Sequence, residues 1–408
     1  MNISQIINVQ KRLSPYLNNI PLQYSSRLSD KFNANIYLKR EDLQPTRSFK
    51  IRGSLNKILK EYELNPSLKV VCASAGNHAQ GVAFACNLLG IQGDIFVPTV
   101  TPLQKQNRIK YYGKNNINLK IEGQNFNETL EMANYFSNKN KYTFIHPYDD
   151  LDIIEGQSTI GYEILQELEP DIVLSTIGGG GLVSGLGDTL SSKTQIIGCE
   201  PEGADSMSQA LRYGKPIKIK NLDNFVDGAS VDKVGENTFL KCKTIFKNQE
   251  NIKVISNPHI CHELMNCYQE DGIILEPAGV LSICALDMLN LKDITNKNIV
   301  CVLSGGNNDV SRYPEILEKN LLYLNRKHYY VIEFAQKPKE LKKFIMHVLG
   351  EEDDITRFEY IKKTNKFFGN VLLGIETKNN HNLEKNMLKY DFKFKKIDEN
   401  DLIYSYLI

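Results

Sequence analysis

Through the first three quarters of the chain, short runs of β-branched and apolar residues alternate with helical stretches. The runs lie at 70–73, 94–97, 142–145, 171–174, 195–198 and 298–302, and helices are predicted over 76–89 and 280–289. Strands separated by helices are joined by crossovers, which makes their sheet parallel and covers both of its faces. The runs accordingly read as continuously apolar rather than alternating. Such sheets hold their ligands beyond the carboxyl ends of the strands, so the residues just after each run are where chemistry is expected.

Past about residue 325 the pattern changes. A strand over 328–334 precedes Leu341, Phe344, Ile345, Val348 and Leu349, whose spacing marks one apolar helix face. Strands over 354–361 and 367–376, joined by the polar turn 362–366, a helix over 382–390 and a last strand over 392–397 complete a β-α-β-β-α-β order. That order is ferredoxin-like. The reading is therefore an α/β protein with a larger domain over 1–325 and a small one over 326–408. The small one lacks clustered titratable or glycine-rich elements, which points to a structural or regulatory role rather than chemistry.

Composition narrows the function. The 408 residues suffice for two or three units of about 100–200 residues each. With 49 Lys+Arg against 48 Asp+Glu the net charge is +1, which argues against nucleic-acid binding by bulk charge. No apolar run reaches the roughly 18–20 residues of a bilayer span, and the first residues lack a signal-peptide pattern, so a cytoplasmic protein is expected. The eight cysteines show no C-x-x-C pairing and read as buried, reduced core residues. The stretch His259, Cys261, His262, Cys267 matches no structural zinc spacing, and no metal is expected.

Four elements carry chemistry. Gly178, Gly179, Gly180 and Gly181 follow one strand and precede the helical Leu182-Val183-Ser184, so their backbone N–H groups converge at a helix start as a phosphate cradle. The run is neither a dinucleotide fingerprint nor a Walker loop. In Arg47-Ser48-Phe49-Lys50-Ile51-Arg52-Gly53 the ammonium of Lys50 emerges between apolar neighbours that lower its pKa, the condition for an imine-forming lysine, and Ser48 is a candidate helix cap. Ser74, Ala75, Gly76, Asn77 and His78 join a strand end to a helix start and offer N–H groups and a hydroxyl to a carboxylate. No acid–base role is given to His78. Ser304-Gly305-Gly306-Asn307 closes the last strand, and Glu276, before a Pro-initiated helix, reads equally as a site residue or as a charge at a helix N-terminus.

A reactive lysine beside a phosphate cradle points to pyridoxal phosphate. Taken with their order, Ser48 to Gly53, Ser74 to Gly81, the four glycines and Ser304 to Asn307 resemble the fold-type II pyridoxal phosphate enzymes, specifically threonine dehydratase in its short biosynthetic form with one ACT-like domain. The resemblance implies two parallel-sheet α/β subdomains and a ferredoxin-like tail. It also implies that Lys50 holds the cofactor as an imine and later serves as the general base, with Phe49 packed beside it. Asn77 is implied at the cofactor's phenolic oxygen, Gly178 to Leu182 at its phosphate, and Ser304 at its ring nitrogen. The substrate carboxylate is implied at Ser74 to His78. The activity implied is β-elimination of L-threonine to 2-oxobutanoate and ammonia, the first step of isoleucine synthesis, with L-serine giving pyruvate. L-isoleucine is the implied inhibitor, L-valine its antagonist, and a homotetramer the implied assembly. A cation site known in some relatives would fall at Glu200 to Ser206, where one acidic position is here Ser206. Serine racemase, a catabolic dehydratase and a catalytically silent amino-acid sensor are the alternatives.

Overall fold

In the computed structural model, residues 2–190, 193–362, 366–378, 380–398 and 401–407 are described. They form two compact units, Met1–Asp309 and Val310–Ile408. The first contains two sheets. Its larger sheet runs in the order Gln23–Tyr24, Asn35–Arg40, Asn298–Leu303, Ile172–Thr176, Gln195–Pro201, Ile252–Ile255, parallel throughout except at the first pair. The smaller sheet orders Ile117–Ile121, Gln92–Val97, Lys69–Ala73 and Thr143–Phe144, all parallel.

Burial explains the strands. Ile172–Thr176 is buried at every position and packs, with Val300 and Val302 of the neighbouring strand, into a core completed by Ile160, Ile164, Val183 and Leu186 from flanking helices. Val70, Cys72, Ile95 and Val97 form the equivalent core of the smaller sheet, against Val82, Ala83 and Cys86 of the helix Asn77–Leu89. All eight cysteines are buried, and none forms a disulfide.

Strand order positions the site. Asn298–Leu303 inserts between Asn35–Arg40 and Ile172–Thr176, so the last strand of the sheet ends beside the segment that leads to Lys50. There the backbone N–H of Phe49 donates to the Ser304 carbonyl (3.0 Å), and that of Gly306 to the Arg47 carbonyl (2.9 Å). Two sequence-distant turns are thus stitched together at the carboxyl edge of one sheet.

The helix that starts at Lys50 runs to Leu64, and Ser48 does not cap it. Phe49 occupies the capping position without a side-chain hydrogen bond, while Ser48 is held by a backbone bridge to Gly305 and buries its hydroxyl without a partner. The helix read at 280–289 is instead Pro277–Cys284 followed by a 3₁₀ turn, Ala285–Met288.

The second unit begins with the helix Tyr313–Tyr323 and continues as Lys327–Ala335, Glu340–His347, Asp354–Tyr360, Phe368–Glu376, Asn380–Lys389 and Phe394–Ile397. Its antiparallel sheet is ordered Asp354–Tyr360, Phe368–Glu376, Lys327–Ala335, Phe394–Ile397, the ferredoxin-like arrangement. Tyr330, Ile332, Phe334, Phe344, Leu373 and Met387 form its core. Part of the expected turn at 362–366 lies outside the described residues. Among the described residues no helix is long and apolar enough to cross a membrane.

Candidate active site

One pocket of about 420 Å³ in the first unit brings together Phe49, Lys50, the segment Ser74 to His78, the run Gly178 to Leu182 and Ser304. The sequence picked out all of these residues. The pocket also takes in Pro147, Tyr148, Lys105, Asp227, Glu276 and Asn307, none of which carries an assigned role from the sequence alone.

Lys50 donates from Nζ to the Pro147 carbonyl (2.8 Å), with Nζ 5.3 Å from the centre of the Phe49 ring and 6.0 Å from that of Tyr148. Burial lowers its pKa to about 8, against the opposing pull of the Glu276 charge. An amine so placed has a larger neutral fraction near physiological pH than an ordinary lysine, and that neutral form is a nucleophile and a base.

The glycines meet two neighbours at contact distance. A Cβ at Gly179 would lie 2.2 Å from the Tyr148 ring, and one at Gly178 would lie 2.9 Å from the Ala229 carbonyl. Gly180 has φ of +91° and precedes the helix Gly181–Thr189. Side chains at Gly178 and Gly179 would collide with these neighbours, so bare backbone lines the pocket there at a helix N-terminus, the kind of place where a phosphate is stabilised.

Across the pocket, the helix Asn77–Leu89 begins at the end of the strand Lys69–Ala73. Ser74 accepts through its hydroxyl from the Gly76 N–H (3.2 Å). The ring of His78 donates from Nε2 to the Ile145 carbonyl (2.8 Å), and burial together with Lys50 pushes its pKa down to about 3. Its hydrogen bond to the Ile145 carbonyl anchors the ring beside the helix start.

Ser304 donates its hydroxyl to the Ala278 carbonyl (3.1 Å), and Thr176 donates to that same oxygen (2.7 Å). Ala278 therefore stays satisfied by Thr176 if the Ser304 hydrogen turns to another acceptor. Glu276 is buried and accepts from Asn77 Nδ2 (2.7 Å), and burial followed by the Asp227 charge raises its pKa to about 7. It is a site residue, not just a charge at a helix end. Lys105 forms an ion pair with Asp227 at the pocket wall.

Tyr148 and Pro147 were missed, although their signal was present. They stand in the turn just after Thr143–Phe144, the place where parallel sheets present ligand contacts. In that turn His146 Nδ1 accepts from the N–H groups of Tyr148 (3.2 Å) and Asp149 (2.7 Å), which fixes the loop that meets Lys50. Outside the pocket, Glu200 commits both carboxylate oxygens to the N–H groups of Met207 (2.7 Å) and Ser208 (2.9 Å) at the start of the helix Ser206–Tyr213.

These groups fit pyridoxal phosphate: a pKa-lowered lysine, a cradle that admits no Cβ and a polar amide opposite. Comparison with known proteins gives the same cofactor. Residues 13–305 match the pyridoxal-phosphate-dependent enzyme family, and residues 318–407 match the C-terminal regulatory domain of threonine dehydratase. Over 418 aligned residues the chain is 44% identical to a biosynthetic L-threonine dehydratase of Halalkalibacterium halodurans, covering 100% of this chain and 99% of that protein. It is 40% identical over 416 residues to that of Bacillus subtilis, at 100% and 98% coverage. Among solved structures, the processed threonine deaminase isoform 2 of Solanum lycopersicum superposes with a TM-score of 0.72 at 34% identity, over 79% of this chain and 90% of that one. Maize serine racemase superposes at 0.71 and 26% identity, over 79% and 99%.

Proposed function

Because this chain belongs to the biosynthetic L-threonine dehydratases, pyridoxal-phosphate-dependent enzymes with a C-terminal regulatory domain, we propose that it converts L-threonine to 2-oxobutanoate and ammonia under feedback control by L-isoleucine. The observation that carries the catalytic part is the pKa-lowered Lys50 amine lining the pocket that also holds the glycine cradle and the Asn77 helix start.

Pyridoxal phosphate, when bound, supplies an electron sink for charge developing at the substrate Cα. The chain's residues do the rest. The N–H groups of Gly178 to Leu182 hold the phosphate, and those of Ser74 to His78 hold the substrate carboxylate at a helix N-terminus. Lys50 anchors the cofactor and, once released from it, takes the Cα proton at Nζ, with Pro147's carbonyl to orient the resulting ammonium. Asn77 donates to the phenolic oxygen. Ser304 would lie at the ring nitrogen, where a hydroxyl, unlike a carboxylate, would not hold that nitrogen protonated. With Ser304 there, the cofactor would supply a weak sink, which would favour loss of the β-hydroxyl over return of the proton. L-serine, which differs by one methyl group, reacts by the same route to pyruvate.

Regulation is assigned to the second unit, whose residues 318–407 match the C-terminal regulatory domain of threonine dehydratase. L-isoleucine binding there opposes threonine binding, L-valine antagonises it, and the working assembly is a homotetramer in the cytoplasm. A coupling of about 1–3 kcal/mol corresponds to a 5–150-fold change in affinity. The test is a 2-oxobutanoate assay across threonine concentrations, with and without isoleucine. Half-saturation should move upward with isoleucine by several-fold and return with valine. An unmoved curve contradicts the regulatory reading, and no 2-oxobutanoate at all contradicts the catalytic one.

A further inference from the structure

Four groups at the pocket form a directed chain of hydrogen bonds. Asn307 Nδ2 donates both to the Thr46 carbonyl (2.8 Å) and to Asn77 Oδ1 (2.7 Å), and Asn77 Nδ2 donates to Glu276 Oε1 (2.7 Å). The two ends fix the direction. A backbone carbonyl only accepts, so the Asn307 amide must turn its nitrogen toward Thr46 and toward Asn77. Asn77 must then meet that nitrogen with its oxygen, which leaves its own nitrogen for Glu276, whose carboxylate accepts.

One hydrogen on Asn77 Nδ2 remains, on a residue that lines the pocket. Were the Asn77 amide turned over, its oxygen would lie against the Glu276 oxygen and its nitrogen against the Asn307 nitrogen, two repulsive contacts in place of two hydrogen bonds. The donor direction of Asn77 is therefore imposed from outside, by Asn307 on one side and Glu276 on the other.

We propose that Asn307 is a positioning residue, which holds the Asn77 amide with its N–H toward the phenolic oxygen of the cofactor. This rests on the proposed role of Asn77 at that oxygen and deepens it. Asn307 comes from the turn after Asn298–Leu303, and Asn77 comes from the smaller sheet's first long helix, so the bond also ties the two halves of the pocket together. A donor at the phenolic oxygen favours its ionised form, which absorbs in the visible. An acceptor there favours the neutral phenol form, which absorbs in the near ultraviolet.

The test uses the full-length protein loaded with pyridoxal phosphate. In Asn307→Asp an acceptor replaces the donor opposite Asn77 Oδ1, so only Glu276 still favours the original direction and the turned-over amide, with its oxygen toward the cofactor, becomes populated. The ratio of visible to near-ultraviolet absorbance should fall several-fold, and cofactor affinity should fall about tenfold. Asn307→Ala, which removes the donor without adding an acceptor, should show a smaller fall in the ratio and serves as the readout if the aspartate variant does not fold. In an Asn77→Ala background Asn307→Asp should leave the ratio unchanged, since the residue it acts through is gone. An unchanged ratio in both single variants, or an equal fall in the Asn77→Ala background, overturns the proposal while leaving the family reading intact. A wild-type protein with no visible cofactor band overturns the proposed role of the pocket and this inference with it.

Discussion

Lys50→Ala is expected to lower threonine turnover by at least about 10⁴-fold, because one substitution removes both the anchor of the cofactor and the group that takes the Cα proton. The fold should persist. Lys50 is partly exposed to the pocket, and its Nζ reaches the Pro147 carbonyl rather than a core network. Losing that bond leaves a carbonyl facing an open cavity, so the unfolding midpoint should change by no more than about 1 kcal/mol in free energy. Oxo-acid formation and circular dichroism on one preparation check both parts. Activity at a tenth of wild type or more contradicts the assignment of Lys50.

Two residues further along that helix, Arg52 should behave in the opposite way. Its guanidinium is fully buried and pairs with Glu41 through Nε and Nη2 (2.8 Å each) and with Glu163 through Nη1 and Nη2 (2.8 Å each), while Nη1 also donates to Thr159 (2.9 Å). Buried Lys39 reaches Glu163 as well (2.8 Å) and donates to the Ile20 carbonyl (2.7 Å). Arg52→Ala leaves Glu41 buried without its partner, and breaking such a buried pair costs about 3–5 kcal/mol. The unfolding midpoint of the first unit should therefore drop steeply. Arg52→Lys keeps the charge but not the planar fork and should recover only part of the loss. The chain has no tryptophan, so circular dichroism is the natural probe. A loss below about 1 kcal/mol for the alanine variant would mean that water enters and solvates the network.

Arg52 also shows where sequence reading stops. It stood inside the motif that identified Lys50, yet nothing local revealed that its charge is matched by residues 11 and 111 positions away. The strand Asn35–Arg40 was missed for a related reason. Lys39 and Arg40 make it look like a surface segment, and only the fold pairs Lys39 with Glu163 and Arg40 with Asp42 (2.7 Å). Ile117–Ile121 was missed because it is a half-exposed edge strand in which apolar and polar residues mix.

What was legible rested on chemistry that is local in sequence. The buried parallel strands announce themselves as continuous apolar runs, and the glycine run has no use that tolerates a Cβ. The lysine sits between apolar neighbours. Ligand-binding turns follow strand ends, which is why a reading confined to those ends collected the Ser74 to His78 turn, the glycine run and Ser304, but not the wall that Asn125, Phe126, Leu222, Asn224, Ser230 and Asp232 contribute. What was not legible is pairwise: the Pro147 carbonyl under Lys50, the Tyr148 ring against Gly179, and the amide direction imposed by Asn307. Each depends on two segments meeting, and only the interleaved strand order brings them together.

The central claim, that Lys50 is the cofactor's attachment point and is reactive because burial lowers its pKa to about 8, is open to one direct measurement. Cofactor-free protein is mixed with pyridoxal phosphate across a pH series, reduced with borohydride at early times, and digested for peptide mapping by mass spectrometry. Attack requires the neutral amine, so a lowered pKa makes labelling rise with pH through about 8 and level off above it, rather than climb toward the ordinary lysine value of 10.5. The account predicts that the label sits on the peptide containing Lys50 and follows that curve. A label spread over other lysines, or a Lys50 label still rising steeply past pH 10, would contradict it.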